Sequence, residues 1–121
     1  MTRMSDEDEL SEHVRTLVCS ILRQANFLGS DQLIEQASTV VVAGGPITML
    51  DLRPNPEHAA SAFTSGPIPV SVEVLDVSGS SIGELLVWVN AGRLSALEFG
   101  WWTDERPDQL PHPSQLKIIQ K

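Results

Sequence analysis

Glu84 and Glu98 offer this chain its one opening for acid–base chemistry. If Asn90-Ala91-Gly92 forms a three-residue hairpin loop, counting outward along the two arms sets Glu84 opposite Glu98. Two close carboxylates repel, so one can keep its proton at neutral pH and serve as a general acid, and the same pair can hold a divalent cation. The alternative is two solvated side chains on a sheet surface. A register slip would also part them.

No other reactive residue type is grouped for catalysis. His13, His58 and His112 match no metal-ligand spacing and read as surface histidines. Cys19 is the only cysteine, which excludes an internal disulfide and a cysteine-based zinc site; beside a helical apolar stripe it reads as a small filler. Ser61, Ser65 and Ser78 to Ser81 lie in no nucleophile-elbow pattern. Gly44-Gly45-Pro46 is not followed by the lysine and helix of a phosphate loop. No metal site and no cofactor is expected.

The element that must position the two glutamates is a hairpin over residues 83–102, apolar on both faces and carrying all three tryptophans. Alternation sorts Leu85, Val87, Val89, Leu97, Phe99 and Trp101 to one face. The other face takes Leu86, Trp88, Leu94, Ala96 and Trp102, with Glu84 and Glu98 side by side. Two apolar faces need two covers, or one cover and one partner.

One cover precedes the sheet. Leu10, Val14, Leu17, Val18, Ile21, Leu22, Ala25 and Leu28 form a steady stripe at helical spacing. It predicts a helix from about residue 6 to 28, capped by Ser5 and ended by Gly29. A short second helix follows, with Leu33, Ile34 and Ala37 inward. From Thr39 the period drops to two. Strands are expected at 40–43, 70–77 and 116–119 around the hairpin, with a bend or bulge at Gly44-Gly45-Pro46 and 47–53 as a second strand or the continuation of the first. Residues 54–69 hold four prolines and 103–113 three, so both are read as loops, the first long enough to be functional or mobile.

The expected fold is a single α+β domain: two N-terminal helices (about 6–38) on one face of an antiparallel meander of about four to five strands (about 40–119). The 121 residues suffice for a core. A formal charge of −8 argues against nucleic acid or an anionic membrane and favours a basic partner. Five of the sixteen acids, Asp6, Glu7, Asp8, Glu9 and Glu12, crowd a helix start, where a solvated face suits them. Without an apolar leader or a membrane-length run, the chain reads as cytoplasmic.

The blocks Gly83 to Val89, Leu94 to Phe99, Trp102-Thr103-Asp104-Glu105 and Pro107, with Val42 to Thr48 and Leu50 to Arg53 upstream, resemble a signature of small actinobacterial proteins. The resemblance spans about residues 40–116 and implies a compartment and a fold, with no established activity. The functional expectation is a non-enzymatic protein-binding module, in its most concrete form an immunity or antitoxin-like inhibitor of a basic toxin domain. Its interface would use Leu86, Trp88, Leu94, Trp102, Glu84 and Glu98. Two alternatives stand beside it: a small hydrolase or ligand-binding domain using Glu84 and Glu98 under the 54–69 loop, and a homodimer that buries the second face against itself.

Overall fold

A computed structural model describes residues 6–120, with side chains from Asp8 onward; Ser5, expected to cap the first helix, lies outside the described residues. The order is α1 (Asp6–Gln24), α2 (Ser30–Ala37), β1 (Val41–Gly44), β2 (Met49–Arg53), β3 (Ser65–Pro67), β4 (Val70–Leu75), β5 (Ser81–Asn90), β6 (Arg93–Trp101), a 3-10 turn (Pro113–Gln115) and β7 (Leu116–Gln120). The two helices pack against one antiparallel sheet of seven strands, an α+β fold.

The stripe on α1 does what its spacing requires. Val14, Leu17, Val18, Ile21 and Leu22 are fully buried against alternate residues of the sheet: Leu50 and Leu52, Val70, Val72 and Val74, Leu85, Val87 and Val89, and Leu97 and Phe99. The helix stops at Gln24, four residues short of the expected end, and Leu28 is 82% exposed. The chain turns there so that Phe27 meets Phe63 edge to face, centroids 5.4 Å apart. Gly29 caps the start of α2 instead of ending α1, at φ 95°. A Cβ there would lie 2.2 Å from Ser61 Oγ, which donates to the Gly29 carbonyl.

The sheet departs from a simple meander. Its order is β1-β2-β6-β5-β4-β7, with β3 continuing the line of β4 along β5. β1 and β2 are successive neighbours, as are β4, β5 and β6, but the two groups are not joined in chain order. β2 lies beside β6, and β7 returns to the far side of β4. The count exceeds four to five because β1 and β2 are two separate, paired strands and because residues 65–67, read as loop, pair with the distal end of β5. Pro67 and Pro69 hid this strand, which Ile68 and Pro69 separate from β4. The β1 edge is sealed by α1: the Val42 N–H donates to Ser11 Oγ, and Arg15 Nη1 donates to the Val40 carbonyl.

Both proline-rich segments serve the helix side. Residues 58–64 pack on α2 and the β5–β6 turn, where Ser61 N–H donates to Gly92 O and Gly92 N–H to Thr64 O. Residues 102–112 strap the open end of the core, burying Leu110, donating from Arg106 Nη2 to Thr48 Oγ1 and accepting at Pro111 O from the His13 ring.

Candidate functional site

The β5–β6 hairpin is closed by a two-residue turn, Ala91-Gly92, with both residues at positive φ (52° and 75°) and Asn90 paired to Arg93. That is the turn whose twist suits a tight hairpin. Beyond it a bulge falls between Trp88 and Val89: Val89 pairs with Leu94, but Trp88 pairs with Ala96, leaving Ser95 extra. The shorter turn and the bulge together move each later partner by two residues. Faces are kept from Ala96 onward, and partners are not.

Three expectations are corrected by this register. Glu84 faces Gly100, and Glu98 faces Leu86, so the expected cross-strand pair does not form. Leu94 leaves the second face: it is 1% exposed, in the core, because the bulge flips its parity. Its freed N–H donates to Gln36 Oε1 at 2.9 Å, while Gln36 Nε2 donates to Gly92 O and Ala59 O at 3.0 Å each. Trp101, expected in the core, is 39% exposed past the end of the helices, with the Arg106 guanidinium 6.0 Å from its ring centre.

The register also assembles a face that counting along one hairpin could not show. The helices and both packed loops lie on one side of the sheet. On the other side, one row across the strands reads Asp51, Ala96, Trp88 and Pro67. The next reads Met49, Glu98, Leu86, Ser71 and Ile119. A third reads Gly100, Glu84, Glu73 and Lys117. Met49 and Ile119 are exposed and Leu86 and Trp88 half-buried. Trp102 continues past β6 at the edge, 57% exposed, its backbone N–H donating to Ile82 O and its indole N–H to Ser81 O.

Acidic side chains cross this surface as a diagonal band: Asp51 on β2, Glu98 on β6, Glu84 on β5, and Glu73 directly opposite Glu84 on β4. Glu98 Oε1 accepts the Trp88 indole N–H at 2.9 Å, which fixes the ring. Among the described residues, Asp51, Glu73 and Glu84 have neither an ion-pair nor a hydrogen-bond partner for their carboxylates. The Glu73–Glu84 pair carries a repulsive cost, since like charges directly opposite destabilise a sheet. Sequence reasoning missed Asp51, Met49, Glu73, Lys117 and Ile119. The signal for Glu73 was present: with Val70, Val72 and Val74 inward, Ser71 and Glu73 must point outward.

The remaining candidates hold structural posts. His13 donates to Pro111 O, His58 shares a hydrogen bond with Thr39 Oγ1, and His112 caps the 3-10 turn through Ser114. No group of three or more His, Cys, Asp or Glu among the described residues is placed to hold a metal ion. Burial pushes the Cys19 thiol up, against an opposing pull from Arg23 and Arg15, and so disfavours the thiolate a nucleophile needs. Among the described residues no helix is long and apolar enough to cross a membrane. No protein-family model, curated protein or solved structure matches the chain.

Proposed function

We propose that this chain is a non-enzymatic binding module, cytoplasmic, whose helix-free sheet face docks a protein with a basic surface. The observation that carries the reading is the acidic band of Asp51, Glu98, Glu84 and Glu73, three of its carboxylates without partners, beside Trp88 and Leu86. Interfaces combine aromatic anchors with polar rims, and complementary charge speeds and orients docking. The fold covers one face with its helices and spends both long loops on that same side, leaving the second face to a partner. Its most concrete form is an immunity or antitoxin-like inhibitor of a basic toxin domain.

Two other readings have less support. A homodimer through this face would lay one acidic band against another with, among the described residues, only Lys117 and Arg53 of β7 and β2 to offset them. A hydrolytic site under the 54–69 loop lacks its geometry, because residues 58–64 pack on the helix side, away from Glu84 and Glu98. The test is protection in cells: the proteins encoded beside this gene are each expressed alone, and any that proves toxic is then expressed with the wild-type chain and with a Glu84→Lys variant. Protection by wild type and its loss in the variant support the reading. Equal protection by both places the interface elsewhere.

A further inference from the structure

Trp101 and Trp88 make an instructive contrast. Trp101 has a cation of its own, Arg106 over its ring. Trp88 sits in the acidic band with no cation over it among the described residues, although its ring is held still by Glu98. We propose that the partner surface presents an arginine at the centre of this face, stacked on Trp88 and paired with Glu98. The inference rests on the docking reading above and deepens it by naming the recognised side chain.

The chemistry selects arginine over lysine. The Trp88 N–H occupies Glu98 Oε1 and leaves Oε2 free to accept. A guanidinium lying flat on the indole directs its N–H groups sideways within its own plane, toward a carboxylate at the ring's edge, and it gives up hydration more readily than an ammonium. Ala96 and Pro67, the cross-strand neighbours of Trp88, carry short, uncharged side chains that do not compete for its ring or for Glu98. Asp51 lies beyond Ala96 on the same row, and Glu84 lies four residues back along β5 on the same face, past Leu86, so a second and a third cation of the partner have places to either side. A lysine would find the charge of Glu98 but neither the stacking nor the forked hydrogen bonds.

The test uses two amidated octapeptides, all-arginine and all-lysine, titrated into the folded protein at low salt. The indole N–H signals of the three tryptophans are followed by NMR. The Trp88 signal reports this face and ignores cations bound at the acidic start of α1. The expected result is that octa-arginine moves the Trp88 signal and binds there roughly fivefold more tightly than octa-lysine, the size of an exposed cation–π stack. Glu98→Gln should remove that preference while weaker, salt-sensitive binding of both peptides persists. Equal affinities with equal Trp88 shifts would overturn the arginine assignment and leave the docking reading standing. If neither peptide moves the Trp88 signal at all, both fall.

Discussion

Replacing Glu84 with glutamine should make this protein more stable and a worse binder. Glu84 stands directly across from Glu73 and diagonal to Glu98, and the nearest cation of that row, Lys117, lies one strand farther, opposite Glu73. Like charges directly opposite on neighbouring strands cost about 0.2–1 kcal/mol, and the diagonal adds a smaller amount. Glutamine keeps the length and removes the charge. For a domain of this size, 1 kcal/mol corresponds to roughly 3–5 °C in Tm, so Glu84→Gln should melt about 1–4 °C higher at low ionic strength. The gain should shrink in salt, as screening already weakens the repulsion in the wild type. Glu57→Gln, in an exposed loop, is the control and should leave Tm within about 1 °C. Against a basic partner the same variant should lose about 1–2 kcal/mol, roughly 5- to 30-fold in Kd, with much of the loss in the association rate. Calorimetry of folding beside calorimetry of binding reads both. A lower Tm would refute the reasoning, because it would mean that Glu84 is already compensated within the monomer.

Other outcomes follow from the same geometry. Gln36→Leu should cost about 1–3 kcal/mol in urea unfolding, since it strands the buried Leu94 N–H, whereas the Gly92 carbonyl keeps its bond from the Ser61 N–H. Ala91→Asn should stabilise by about 0.5–1 kcal/mol, because alanine is held at a φ of 52° that asparagine tolerates better; thermal melts will show it. Hydrogen bonds, first from the Ser78 side chain and then from the Ser80 backbone, lower the Asp76 pKa. Its contribution is therefore present above the ordinary aspartate range and is lost as pH falls through the depressed folded value, which amide exchange at Ser78 and Ser80 can follow.

Much of this fold was legible because its two periods are clean. The α1 stripe from Val14 to Ala25 and the alternation of Leu85, Val87 and Val89 announced a helix and a strand that bury one face each. Register was less legible. Ala91-Gly92 and Asn90-Ala91-Gly92 both make acceptable loops, and the choice depends on a bulge whose stabilising partner, Gln36, sits 58 residues from Leu94 in sequence. Nothing local in the hairpin encodes that contact. The same limit hid part of the acidic band: Asp51 joins Glu84 and Glu98 only through the pairing of β2 with β6, far apart in the chain, whereas Glu73 comes from the strand just before β5. Trp101 misled for a different reason. Alternation assigned its face correctly but could not say that the helices end before reaching it.

The central claim is that the helix-free face is a docking surface, and Trp88→Ala tests it most directly. The indole is half-buried and lies outside the core cluster, so its loss should cost the fold about 1–2 kcal/mol. As a central aromatic anchor, its loss should cost binding at least about 2 kcal/mol, or roughly 30-fold in Kd. Sedimentation of wild type and variant with the basic partner, beside their melting curves, measures both quantities. The account predicts a folded variant that no longer sediments with the partner. A variant that binds as the wild type does, or one that simply unfolds, would contradict it.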